Sequence, residues 1–163
     1  MNFDTPKGAI LSDCKKYRFL LWRTWNVTLP KVLFIGLNPS KANAVNDDPT
    51  TKKIGLIAKH NNYGGFIIGN CFPRIATKPA ELKNLERLSE NDKWLTIAKN
   101  YAVDVVFVWG NFSLVYEQQR NRKLKSLFPN ANVLAYNKSG SPKHPLYIKA
   151  NSSLIPFKAK YEN

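Results

Sequence analysis

Apolar residues along the chain gather into short continuous runs, separated by polar stretches with a helical period. Val32-Leu33-Phe34-Ile35, Phe66-Ile67-Ile68, Val103 to Trp109 (broken only by Asp104) and Val133-Leu134-Ala135 are four such runs. Runs of this length bounded by turn residues read as strands buried on both faces. They predict strands at 32–37, 66–70, 103–109 and 132–136. Between them, Ile54, Leu56-Ile57-Ala58 and Tyr63 mark a helical face through 51–61, with Pro49 near its first turn and Asp48 or Thr50 as N-cap. Pro79 opens a helix carrying Leu82, Leu85 and Leu88. Asn91-Asp92 restarts one through Trp94, Leu95, Ile97, Ala98 and Tyr101. A helix of mixed character over 112–127 exposes Arg120, Arg122, Lys123 and Lys125, and a short helix is expected around 150–157.

Two segments stand outside this rhythm. Tyr17 to Trp25 is aromatic and partly alternating, which reads as a strand or hairpin. Residues 1–13 read as a loose leader. Strands alternating with helices imply right-handed crossovers. The expected fold is therefore α/β: a three-layer α/β/α arrangement around a small, mostly parallel four-stranded central sheet, with an antiparallel N-terminal strand or hairpin added. A length of 163 residues suits a single domain, 1–163, with its core over 31–158.

Charge changes this picture more than composition does. Lys and Arg number 25 against 11 Asp and Glu, a net +14. A small protein so charged repels itself unless a polyanion is near, which makes nucleic acid, DNA above all, the first candidate partner. No basic amphipathic helix suggests a membrane surface, and no run approaches transmembrane length. The N-terminus lacks the apolar core of a signal peptide, and two scattered cysteines fit a reduced compartment, so a cytoplasmic monomer is expected. Two His and two Cys at scattered positions make no metal site. Neither phosphate-loop nor dinucleotide-binding glycine patterns occur, so no cofactor is expected.

The strand ends carry the candidate chemistry. Gly36-Leu37-Asn38-Pro39-Ser40 closes the first run, Asn70 the second and Gly110-Asn111 the third. The loop Lys138-Ser139-Gly140-Ser141-Pro142-Lys143-His144 follows the fourth. In a parallel sheet these lie on the carboxyl rim, where ligands bind. Asn38, Asp47, Asp48, Asn70, Asn111 and His144 come within reach of one crevice. An amide can donate and accept to a base edge or a water, a carboxylate can polarise that water, and a histidine can carry a proton or donate to an anion. Ser40, Ser141, Lys138 and Lys143 suit phosphate oxygens. Asp48 fits equally well as a helix N-cap, and Asn38 with Ser40 as turn residues.

Two segments resemble the uracil-DNA glycosylase superfamily. Val32 to Ser40 is similar to its first motif, a strand ending in Gly-x-Asp-Pro or Gly-x-Asn-Pro. Val105 to Phe112, followed after a basic helix and a strand by His144-Pro145-Leu146, resembles its strand ending in Trp-Gly and its later His-Pro-Ser. The whole chain resembles more closely a family of small bacterial and phage proteins of unknown function, DUF1643. The shared pattern is Gly36 to Ser40, Asp47 to Thr50, Asn70, Trp109-Gly110 and Pro142 to Tyr147. The first resemblance implies a uracil-DNA glycosylase-like fold and hydrolysis of an N-glycosidic bond. Asn38 would orient water and Asn70 would pair with an extruded base, beside Leu37 and Phe72. His144 would stabilise the leaving base, and Ser40 with the 138–147 loop would grip the backbone. Asn38 stands where the most active branch has Asp, and Asp47 or Asp48 would restore the carboxylate. Leu146-Tyr147 replaces Ser-Pro, so a modified base is as good a candidate as uracil. The rival expectation is a nucleic-acid-binding module that keeps the crevice without the chemistry. A third is an enzyme on free nucleosides, which would not need the charge.

Overall fold

The computed structural model describes residues 1–82 and 85–158. Its elements are β1 (Lys7–Leu11), β2 (Arg18–Thr24), β3 (Lys31–Gly36), α1 (Pro49–His60), β4 (Gly65–Asn70), α2 (Leu88–Lys99), β5 (Asp104–Phe107), α3 (Leu114–Glu117), α4 (Arg120–Leu127), β6 (Asn132–Val133) and β7 (Ile155–Pro156). Short 3-10 turns lie at Pro79–Glu81 and Pro145–Tyr147.

The strands form one seven-stranded sheet in the order β1-β2-β4-β3-β5-β6-β7. This corrects the expected small, mostly parallel four-stranded sheet: the sheet is larger and mixed. Strands β4, β3, β5 and β6 run parallel, while β1 and β2 extend one side antiparallel and β7 closes the other. The physical reason lies in β2, whose seven residues are all buried. A strand apolar on both faces belongs inside a sheet, and β2 pairs with β4 on one edge and β1 on the other. Strand β6 keeps only Asn132 and Val133 of the strand expected over 132–136, and β7, also of two residues, is too short to leave a periodic signal.

Side chains alternate across β3 and set up two cores. Leu33 and Ile35 join Leu95 and Ala98 of α2 and Leu124 of α4 on one face. Val32 and Phe34 join Ile54, Ile57 and Ala58 of α1 on the other. Each such side chain contributes about 1.5–3 kcal/mol by leaving water. Helix α1 therefore owes its position to its Ile54/Ile57/Ala58 stripe, and its N-terminus falls at the carboxyl rim of the sheet.

Several local expectations change. Residues 1–13 carry β1, and Phe3 packs edge-on against Trp22 with ring centres 5.0 Å apart. The helix expected from Pro79 is a single 3-10 turn before Leu82; residues 83 and 84 lie outside the described residues, and α2 begins at Leu88. The 112–127 helix is split at Gln119, which adopts φ 53°. The 150–157 segment yields β7 instead of a helix, with Pro156 at the sheet edge, where its missing N–H costs no ladder bond. Cys71 is buried in the core and Cys14 is exposed.

Candidate active site at the carboxyl rim

Strands β3 and β4 end in register, with Gly36 opposite Asn70. A Cβ on Gly36 would stand 2.9 Å from Asn70 Oδ1, so glycine is what lets the asparagine side chain lie across the end of β3. The two exit loops then knit together through backbone bonds: Cys71 N–H to Gly36 O at 2.8 Å, Phe72 N–H to Leu37 O at 3.0 Å and Ala76 N–H to Pro39 O at 3.0 Å. Pro39 ends the ladder and turns the chain towards α1.

The rim encloses a cavity of about 230 Å³. Its walls include Arg18, Leu37, Asn38, Ser40, Asp48, Thr50, Asn70 and His144, with Ile54, Ile68 and Val108 supplying apolar surface. Thr77 and Pro79 are exposed and mark its mouth. The cavity exceeds the ~150 Å³ that holds benzene and falls short of the ~300 Å³ at which drug-sized sites begin. It suits one heterocycle.

Asp48 is both cap and wall. Its Oδ1 accepts from Thr51 N–H at 2.8 Å, while its Oδ2 accepts from Ser40 Oγ–H at 2.9 Å. Burial works to raise its carboxyl pKa. The hydrogen bonds from Thr51 and Ser40 and the charge of Arg18 outweigh burial and hold it below the ordinary value. Asp48 is thus ionised at neutral pH and carries the negative charge of the cavity.

His144 caps the Pro145–Tyr147 turn, its Nδ1 accepting from Leu146 N–H at 3.2 Å. The ring proton then sits on Nε2, as a donor. Burial pulls the imidazole pKa below its ordinary value, and the Asp48 charge opposes that pull. Gly110, at φ 80°, turns the chain after Trp109, and its N–H donates to Pro142 O at 3.0 Å, which brings the 137–147 loop against the end of β5.

Asn38 faces the cavity with limited means. Its Nδ2 donates to Pro39 O and Ala76 O, each at 2.9 Å, so only Oδ1 is left to offer, as an acceptor. Asn70 is the reverse: the residue is buried and its Nδ2 has no partner among the described residues, while Asn91 Nδ2 fixes its backbone carbonyl at 2.8 Å.

The remaining candidates lie elsewhere. Phe72 is buried in the core on the α2 side of the sheet and does not line the cavity. Lys138 is exposed and Lys143 half-buried on the 137–147 loop, outside the cavity wall. Ser141 is buried, and its hydroxyl is shared with Asn137 Nδ2 at 2.9 Å and Ser139 Oγ at 3.0 Å, which turns it inward. Asn111 accepts from Ser139 Oγ at the surface. Asp47 pairs with Arg23 at 2.8 Å outside the cavity.

Arg18 is the site residue that sequence reasoning passes over. It sits in β2, 5% exposed, with Nη1 donating to Ala42 O. Its Nε has no partner, and it makes no ion pair among the described residues. Burial pushes its pKa down to about 10 against the pull of Asp48. The available signal was a charged residue inside a strand otherwise fit for burial, since a buried charge needs a reason.

The family described as "Protein of unknown function (DUF1643)" matches residues 18–146, and the chain belongs to it. No curated protein and no solved structure matches the chain. Among the described residues no cluster of side chains could hold a metal ion, and no helix is long and apolar enough to cross a membrane.

Proposed function

We propose that this protein binds DNA and hydrolyses the N-glycosidic bond of one base drawn out of the strand into the rim cavity. The observation that carries the reading is the meeting of Asn38, Asp48, Asn70 and His144 in one heterocycle-sized cavity. The resemblance of Gly36–Ser40 and of Trp109-Gly110 with His144-Pro145 to uracil-DNA glycosylase motifs supports it, as does the net charge of +14. Extruding a base costs a few kcal/mol, which contacts between lysines and phosphates would offset.

In this reading the C1′–N bond breaks and its electron pair leaves with the base. Charge separates, positive on the sugar and negative on the base. His144 Nε2–H donates to the oxygen gathering negative charge, and Asn70 Nδ2–H holds the base edge. The ionised Asp48 stabilises the cationic sugar and accepts a hydrogen bond from the attacking water, whose oxygen bonds to C1′. Asn38 Oδ1 accepts a hydrogen bond from the water's other O–H, and the proton that the water sheds on bonding to C1′ ends on the departing base anion, relayed by Asp48 and solvent. A carboxyl held below its ordinary pKa is a weak base, so Asp48 works mainly by charge and orientation. Leu146 and Tyr147, 46% and 76% exposed beside His144, are placed to fill the gap left in the strand.

The test is incubation with DNA carrying a panel of natural and modified bases, with mass spectrometry of released bases. Release of at least one base, lost in Asp48→Asn and in His144→Gln, is the expected result. No release from any substrate sinks the enzymatic reading. A second reading, ligand binding without turnover, is favoured by the Asn38 amide and the Asp48 carboxylate already holding two internal hydrogen bonds each. It expects DNA binding that falls steeply with salt, and affinity unchanged in Asp48→Asn.

A further inference from the structure

Arg18 is held in an arrangement that its fold neighbours do not explain. Three planar nitrogens surround its guanidinium carbon. Nη1 is tied to Ala42 O, which fixes the plane of the group. On the opposite edge, Nε is fully buried without a partner, and Nη2 has no hydrogen bond among the described residues. Asp48, the nearest countercharge acting on it, lines the same cavity but is not paired with it. A buried charge without a paired partner is destabilising. By contrast Arg23 and Arg120, equally buried, each satisfy their forks with an aspartate and backbone carbonyls.

The open edge is a side-on fork of two parallel donors. It matches a planar partner with two neighbouring acceptor atoms. Asn70, whose Nδ2 is a second buried donor without a partner among the described residues, lines the same cavity. Carboxylates and phosphates offer two acceptors, but the ionised Asp48 in the same small cavity repels a full anion. Among neutral bases, a 6-oxopurine offers O6 beside N7. Cytosine offers O2 beside N3, but its O2 adjoins the sugar bond. Arg18 lies at the closed side and Thr77 with Pro79 at the mouth. An extruded base enters with its sugar outward, so the acceptor pair must lie away from that bond. Uracil has N3–H between its two oxygens, and adenine sets an N6 donor next to N7.

We propose that Arg18 reads the O6/N7 edge of a 6-oxopurine base, making this class of base the ligand of the cavity. The inference rests on the cavity being a base site, as the proposed function has it, though it does not require turnover. Binding of 9-methylhypoxanthine, 9-methyladenine, 1-methyluracil and 1-methylcytosine to the full chain, measured by calorimetry, tests it directly. 9-Methylhypoxanthine is expected to bind at least about tenfold more tightly than the other three, and Arg18→Met to weaken it about ten- to a hundredfold. Arg18→Lys keeps the charge without the fork and should recover only part of the loss. The ranking by the unaltered protein stands even if a variant fails to fold. Equal binding of the four, preference for any other base, no binding at all, or a folded Arg18→Met that binds normally would each overturn the proposal. Oligonucleotides containing hypoxanthine separate it from the glycosylase reading. Arg18-dependent binding without release leaves this inference standing and removes the enzyme. Release of a different base, insensitive to Arg18→Met, does the opposite.

Discussion

Arg23 with Asp47 and Arg18 with Asp48 bring the same residue types from the same two segments, yet they end in opposite states. Arg23 Nε donates to Asp47 Oδ1 at 2.8 Å, and its other nitrogens reach Trp22 O and Asn43 O at 2.8 and 2.7 Å. Every nitrogen of that guanidinium is bonded, Nε and Nη2 to the 41–47 loop and Nη1 back to its own strand. Arg18 uses one nitrogen on Ala42 O, leaves Nε buried without a partner among the described residues, and lines a cavity. Asp48 spends its oxygens on Thr51 and Ser40 instead of on Arg18. A satisfied buried arginine is a fastener. An unsatisfied one beside a cavity marks where something else is meant to bind.

The sharpest way to break this contrast is to neutralise each aspartate. Asp48→Asn should lower base release about a hundredfold or more, because the charge facing the developing cation is gone. Asparagine caps helices nearly as well as aspartate, but it takes from the buried Arg18 the charge that Asp48 supplies, so the melting temperature should fall while the chain stays folded. Asp47→Asn should leave release within about twofold. Loss of release in both variants, measured on one substrate, would erase the distinction.

Stability provides the next contrast, in the opposite direction. Arg23→Met removes a fork and strands Asp47, whose side chain is 29% exposed and so partly solvated. It should cost about 1–3 kcal/mol in urea unfolding. Arg18→Met loses one bond to Ala42 O but also removes an unpaired buried charge, and should stay within about 1 kcal/mol of the parent. An Arg18→Met as damaging as Arg23→Met would assign Arg18 a structural task.

The smallest expected effect is on the pH dependence of stability. His144 has its folded pKa below the ordinary 6.5 because it is buried. The unfolded chain therefore takes up this proton first as pH falls. The contribution of the neutral ring is whole above about pH 6.5 and is lost between there and the folded pKa. Asp48, also lowered, loses its contribution only at acid pH, below its ordinary 3.8. Unfolding free energies from pH 7.5 to 5 should slope downward in the parent and less so in His144→Gln. Equal slopes would mean that His144 is not buried in neutral form.

Much of the central scaffold was legible before any coordinates. The Val32–Ile35, Phe66–Ile68 and Val105–Phe107 runs are strands because apolar residues on both faces leave no solvent side, and Pro49 after Asp48 starts α1 where capping chemistry allows. Of the antiparallel additions, the strand read from Tyr17–Trp25 is present as β2, whereas β1 and β7 have no such signal. Residues 1–13 look unremarkable until β2 gives β1 an edge to pair with, and β7 exists only because β6 passes beside it. Within the candidate site, Asn38, Asp48, Asn70 and His144 were legible because each ends a strand or opens a turn on the rim. Phe72 and Ser141 were assigned outward roles, although one sits in the core and the other is bonded into its own loop. Whether a side chain at a strand end points to the cavity or away from it depends on register, which loops do not reveal.

The sequence by itself determined the parallel strand runs, the rim on which they end, and the basic charge, because these follow from local pattern and composition. Only the tertiary structure decided the seven-strand width and the separate fates of the two arginines of β2. Burial and hydrogen-bond satisfaction are sums over neighbours far away in the chain. Arg18 and Arg23 read alike in sequence, and Asp47 and Asp48 are adjacent. Which arginine finds its aspartate is settled by where the 41–48 loop lies against the sheet.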